Sequence, residues 1–220
     1  SENTIEGLNL KVLKGQTIGV IGGTGSGKTS LINMIPRFYD ATKGEVLVNG
    51  TNVKEYTEEG LRNKIGIVPQ KAVLFKGTIR SNLLWGNESA TENDLMEALK
   101  QAQSYDFVMQ KENGIDSVVE QNGRNFSGGQ RQRLTIARAL VRKPEILILD
   151  DSSSALDYTT DANLRKEIAK LKDMTVFIVS QRTASIMDAD QIVVLDDGNI
   201  MGIGTHKELL ENCEVYKEIY

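Results

Sequence analysis

Thr17–Ile32 reads TIGVIGGTGSGKTSLI. Its first six residues are a short apolar run that ends in glycines, which predicts a buried strand. Lys28–Ile35 then has helical spacing and stops at Pro36. Between strand and helix, Gly22-Gly23-Thr24-Gly25-Ser26-Gly27-Lys28-Thr29 fits G-x-x-x-x-G-K-[ST] in full, in the context that motif requires. Glycines let the backbone curl until successive N–H groups point inward at phosphate oxygens. The helix N-terminus adds its partial positive charge. Lys28 can reach the β- and γ-phosphates, and the Thr29 hydroxyl can ligate Mg²⁺. Gly23, Thr24, Gly25, Ser26, Gly27, Lys28, Thr29 and Ser30 are therefore the candidate phosphate-binding residues.

A second acid-bearing strand should stand beside this loop. Leu147–Asp157 reads LILDDSSSALD, an apolar run that delivers carboxylates to the exposed tip of a buried strand. Asp150, at the end of the predicted strand Ile146–Leu149, is placed to hold Mg²⁺ across the sheet from Thr29. Further strands are predicted at Glu45–Val48, Ile65–Val68, Thr175–Val179, Gln191–Leu195 and Asn199–Ile203. Helices are predicted at Gly128–Val141 and Thr159–Leu171, and Thr205 with Glu208 reads as the cap of a last helix. From about Phe75 to Phe126 strand signals are scarce. Thr78–Leu84, Glu92–Gln103 and Tyr105–Lys111 have helical spacing, and Thr91 with Asp94 resembles a capping box. Strands alternating with helices, interrupted once by a helical stretch, predict an α/β fold with a parallel sheet covered on both faces.

Composition narrows the classes. The chain has 220 residues, long enough to bury a sizeable core, and a net charge of −4, which gives no reason to expect nucleic acid. No apolar run approaches the roughly 20 residues that span a bilayer. Cys213 is the single cysteine, so there is no disulfide framework and no zinc cluster, and a reducing, cytoplasmic setting fits. Cys213 reads as a half-buried small apolar residue, and His206, the single histidine, as a capping or surface residue.

Phe126–Arg133, FSGGQRQR, is the second strong signal. Ser127 can N-cap the following helix with Gln130 three residues on. Two glycines just inside a helix are costly unless something approaches the backbone closely, and a phosphate would. With GGTGSGKT before it and ILILDD after it, the stretch resembles the nucleotide-binding domain of ATP-binding cassette (ABC) transporters over essentially the whole chain. Gln70 sits at that family's Q-loop, Ser154-Ala155-Leu156-Asp157 matches its D-loop, and Gly204–Leu209 a common C-terminal stretch. Val73–Asn82 resembles multidrug-exporter-type members rather than importers.

The resemblance implies a P-loop NTPase, RecA-like core at about residues 1–74 and 128–220, an α-helical subdomain at about 75–127, and a truncated N-terminal antiparallel β-subdomain. It implies ATP and Mg²⁺ as cofactors, with Thr29, Gln70 and Asp150 toward the metal. Two such domains pair head to tail, so Ser127, Gly128, Gly129 and Gln130 would meet a nucleotide held by a partner domain. Lys28, Gln70, Asp151 and Gln181 take the catalytic positions. Partners are a second nucleotide-binding domain and the transmembrane domains of the same transporter, at the cytoplasmic face of the cell membrane. The chain itself reads as a soluble fragment, and the aromatic residue that stacks on adenine would fall upstream of Ser1. Tyr39 and Tyr56 read as packing residues.

Three positions depart from the family's pattern. Asp151 stands where a glutamate aims the attacking water, Gln181 where a histidine contacts the γ-phosphate, and Gln121 where exporters often carry glutamate. The phosphate loop, Asp150 and FSGGQ are intact. The pattern resembles the degenerate-site half of a heterodimeric exporter. The competing readings are an active homodimeric exporter domain, a regulatory ATP-binding module without turnover, and a freestanding importer subunit. A chromosome-maintenance ATPase is a further class, but residues 30–126 hold no sustained heptads for its coiled coil.

Overall fold

The computed structural model describes residues 5–220. In chain order its elements are β1 (Thr17–Gly22), α1 (Lys28–Asn33), β2 (Leu47–Val48), β3 (Thr51–Asn52), α2 (Glu58–Arg62), β4 (Ile65–Val68), β5 (Gly77–Thr78), α3 (Ile79–Leu84), α4 (Glu92–Gln101), α5 (Tyr105–Met109), β6 (Val118–Val119), α6 (Gly128–Val141), β7 (Ile146–Asp150), α7 (Tyr158–Ala169), β8 (Thr175–Val179), β9 (Gln191–Asp196), β10 (Asn199–Gly204), α8 (His206–Asn212) and α9 (Glu214–Ile219). They fall into two compact units. One comprises residues up to Ile65, Glu145–Asp151 and Lys172–Tyr220, and the other Gly66–Pro144 and Ser152–Leu171.

The first unit is a mainly parallel sheet in the order β10-β9-β1-β8-β7. β4 starts in this unit at Ile65 and carries the chain into the second. β1 pairs in parallel with both β8 and β9, β7 pairs in parallel with β8, and only β10 runs antiparallel. Parallel strands are buried on both faces, which is why their sequences read as continuous apolar runs rather than alternating ones. Ile18, Val20, Ile21, Leu147, Ile148, Leu149, Val176, Ile192, Val193, Val194 and Leu195 are all nearly or fully buried. The register sets Val20 opposite Val179, and Val179 opposite Asp150. The C-terminal tips of β1, β8 and β7 thus lie side by side; β1 ends in Gly22 and β7 in Asp150, and Gln181 follows two residues past the end of β8. β2 and β3 form a separate antiparallel pair joined through Asn49 and Gly50, both at positive φ, as a tight hairpin turn demands.

The second unit is built from helices. α4 opens on a reciprocal capping box between Thr91 and Asp94, and α6 on another between Ser127 and Gln130. Ile79, Leu83, Leu95, Leu99, Leu134 and Ile136 form its apolar interior. Arg80 bridges Glu92 and Asp116, which ties α4 and the turn before β6 to α3.

Local departures from the sequence reading are physical. α1 ends at Asn33, two residues short of Ile35, because Pro36 leaves the last turn without a donor. α2 is a single capped turn, Thr57 accepting from the Gly60 N–H, too short to show a period. Tyr56 is the packing residue expected, its hydroxyl donating to the Val48 carbonyl, whereas Tyr39 is 59% exposed. Cys213 is buried outright, and His206 shares a 2.7 Å hydrogen bond with the hydroxyl of fully buried Tyr216.

Candidate nucleotide site

Gly22 closes β1 in a place where no side chain fits. A Cβ there would come within 2.2 Å of the Leu195 carbonyl oxygen and 2.5 Å of Ser26 Oγ. Beyond it the loop turns through Gly25 and Gly27 at φ 80° and 100°. At Gly23, by contrast, a Cβ would meet nothing within 4 Å. The protein's own packing does not require glycine there, so the open face of the loop is a cradle that a side chain would fill. Gly27 caps α1 without any side-chain acceptor, which leaves the first-turn N–H groups to an outside anion. Lys28 folds back over the loop and donates to the Gly22 and Gly23 carbonyls at 2.7 and 2.6 Å, and to Ser26 Oγ at 3.3 Å. Ser26 is itself buried.

Asp150 ends β7 half-buried, and its carboxylate accepts a hydrogen bond from Thr29. Burial raises its pKa above the ordinary aspartate value and the Asp151 charge adds to this, while Lys28 and the Thr29 hydrogen bond pull the other way. Lys28 responds in kind. Burial lowers its pKa, and Asp151 and then Asp150 oppose the shift. Loop, lysine, hydroxyl and both acids are therefore one electrostatic cluster in the first unit. A hydroxyl paired with a carboxylate beside a phosphate cradle is the hard-oxygen donor set that suits Mg²⁺, which takes one or two protein ligands together with phosphate oxygens. Asp151 stands just past β7, with its N–H on the Val179 carbonyl at 2.9 Å and its backbone in the left-handed region, φ 47°. Gln181 is exposed, two residues beyond Val179, at the tip of the strand between β1 and β7.

Ser127, Gly128, Gly129 and Gln130 lie in the second unit. Ser127 Oγ accepts from the Gln130 N–H at 3.2 Å, and Gln130 Oε1 accepts from the Ser127 N–H at 3.0 Å. The two glycines differ. A Cβ on Gly128 would find only the Arg131 side chain, at 3.9 Å, so this backbone is open to an approaching group. A Cβ on Gly129 would come within 3.2 Å of the Ala155 carbonyl, so here the chain's own Ser154–Asp157 turn makes the close approach. Asp157 is the N-cap of α7, accepting from the Thr160 N–H at 2.9 Å and from its hydroxyl at 2.7 Å, and these bonds lower its pKa. That capping role is readable from Asp157 and Thr160 at N-cap and N3. Gln70 is exposed at the end of β4, in the second unit. Sequence reasoning passed over Gln132, buried in α6, because a mid-helix glutamine carries no signal of its own.

A parallel sheet with a phosphate cradle at one strand tip and a carboxylate at another defines a P-loop nucleotide-binding domain. The ABC transporter family matches residues 5–154. An uncharacterized ABC transporter ATP-binding protein of Bacillus subtilis strain 168, YfiB, is 46% identical over 93% of this chain and 36% of its own length. A candidate multidrug export ATP-binding/permease protein of Staphylococcus aureus strain NCTC 8325 is 42% identical over 98% of this chain and 38% of its own. The solved structure of a bacterial Atm1-family ABC exporter with ATP bound superposes with a TM-score of 0.93 at 34% identity, over 98% of this chain and 38% of that one. The chain belongs to the ABC transporter family, as an ATP-binding domain of that family. It spans little more than a third of the length of the relatives it matches, and no described helix is long and apolar enough to cross a membrane.

Proposed function

We propose that this domain holds Mg-ATP at its own phosphate loop with slow hydrolysis, and lends its Ser127–Gln130 signature to the competent site of a different partner domain in a membrane exporter. Asp151 carries this reading. It occupies the position that follows the magnesium acid, and its carboxylate is one methylene shorter than glutamate. Gln181 supports it independently, since an amide can donate a hydrogen bond but cannot carry the positive charge of a protonated imidazole.

Each residue's part follows from where it stands. The loop N–H groups and Lys28 bind and orient the triphosphate, and Lys28 exchanges its carbonyl partners for phosphate oxygens on binding. Thr29 and Asp150 would hold the magnesium, which when bound would offset charge on the β- and γ-phosphates. Asp151 is left to position water, and its reach falls short by about 1 Å or more, a misplacement that can cost about 10²-fold in rate. Phosphoryl transfer is mostly positioning and electrostatics, so turnover falls and affinity does not. The exposed, intact signature keeps its use to a partner, and the partner's engagement at Gly128 needs only the open backbone found there. The 75–127 stretch is taken as the helical subdomain, and the membrane-spanning domains and the cytoplasmic face of the membrane complete the setting.

The test is ATP turnover by the chain in Mg²⁺ against the Asp151→Glu, Gln181→His double variant. Slow wild-type turnover with unimpaired ATP binding supports the reading. Wild-type turnover equal to that of the double variant overturns it.

A further inference from the structure

Helix α6 does more than present the signature at its N-terminus. Two of its side chains reach the backbone on either side of Gln70. Gln132, only 1% exposed, donates from Nε2 to the Pro69 carbonyl at 3.4 Å. Arg138 donates from Nη2 to the Val73 carbonyl at 3.0 Å. The guanidinium of Arg138 also lies over the Phe75 ring, 5.5 Å from its centroid, and Phe75 stacks on Trp85 at 4.9 Å. Buried Asn82 fixes the Phe75 backbone from both sides, accepting from its N–H and donating to its carbonyl, each at 2.8 Å. The exposed residues Gln70 and Lys71, with Ala72, thus hang between two anchors on the same helix.

The geometry points to Gln132 and Arg138 as positioning residues that fasten both ends of the Gln70–Val73 segment to the signature helix, so that segment and signature move as one body. A rigid α-helix transmits displacement along its length, and a carbonyl held by a buried amide or a guanidinium follows its donor. Arg138 Nη1 is buried without a partner, so the guanidinium keeps a spare donor with which to hold the segment in a second position. This inference rests on the function proposed above and gives it a regulation. Engagement of Ser127–Gly129 by a partner's nucleotide would be felt at Gln70.

The test begins without nucleotide. In the 220-residue chain with Cys213→Ser, spin labels on Lys71→Cys and Arg124→Cys report the distance between segment and signature. A control pair on Glu97→Cys and Arg142→Cys reports the helical unit itself. One body predicts a narrow Lys71–Arg124 distribution that broadens at least twofold in Gln132→Leu with Arg138→Leu, with the control pair unchanged, and that narrows again in Arg138→Lys with Gln132 intact. In parallel, in the Asp151→Glu, Gln181→His background, single-turnover hydrolysis should fall about fivefold or more on adding Gln132→Leu with Arg138→Leu, while affinity for a fluorescent ATP stays within twofold. An unchanged Lys71–Arg124 distribution, a control pair that broadens equally, or turnover and affinity falling together would each overturn the inference. A wild-type chain that fails to bind the fluorescent ATP would instead strike the proposed function, and the distance measurement would still decide the clamp.

Discussion

Restoring the missing methylene should restore the missing rate. In Asp151→Glu the carboxylate advances by about 1 Å or more toward the place where water must be held. A misplacement of that size is worth about 10²-fold, or about 2.7 kcal/mol of barrier. The same substitution carries a cost that the backbone predicts. Asp151 sits at φ 47°, a region that Asp and Asn tolerate and longer side chains resist, so glutamate should lose about 1 kcal/mol of stability. For a chain of this size that lowers Tm by about 2–4 °C. Gln181→His adds a ring that can carry charge at the neighbouring strand tip. The assay is ATP turnover in Mg²⁺ for wild type, both single variants and the double, with chain concentration raised until the rate per chain saturates. Under the proposed function the intact signature would let two repaired chains complete each other. The expected outcome is a rise of about 10²-fold in kcat, KM within about threefold, and a small fall in Tm. A rise in KM-corrected rate below twofold, with the variant folded and ATP bound, would show that the length of this side chain does not limit the site.

Gly22 and Gly23 separate packing from ligand. Gly22→Ala forces a Cβ against the Leu195 carbonyl and should cost about 3 kcal/mol, seen in thermal unfolding, whereas Gly23→Ala should leave Tm nearly unchanged yet weaken ATP at least tenfold in a binding titration. Asp150 has a raised pKa in the folded state, so its favourable contribution is full below the ordinary value of 3.8 and is lost as pH rises through the folded value. Asp150→Asn should therefore raise Tm at pH 7, with the gain shrinking as pH falls toward 3.8, while the enhancement of ATP binding by Mg²⁺ over EDTA disappears. Ser127→Ala removes one half of the capping box on α6 and should cost about 1 kcal/mol in denaturant unfolding.

What was legible in the sequence was whatever left a local chemical trace. β1, β4 and β8 were readable residue for residue because buried strands are unbroken apolar runs closed by glycine, proline or a polar turn. The loop between β1 and α1, the acids after β7 and the box opening α6 were readable because each demands particular residues at fixed spacing. α2 left no trace, since one helical turn has no period, and Tyr39 kept the look of a packing residue while standing in solvent. The role of Gly129 was half legible. A close approach was implied, but only the fold shows that Ala155 makes it. Gln132 and Arg138 were not legible at all, because they bind backbone carbonyls, and every residue carries one.

The most direct measurement is the identity of the nucleotide that the wild-type chain retains. The chain is loaded with Mg-ATP at a concentration where the repaired double variant turns over, held for an hour, stripped of free nucleotide and denatured, and the released nucleotide is separated by chromatography. Retained ATP, with ADP from the double variant treated alike, is the outcome a full cradle with a short acid requires. ADP from both chains would contradict it.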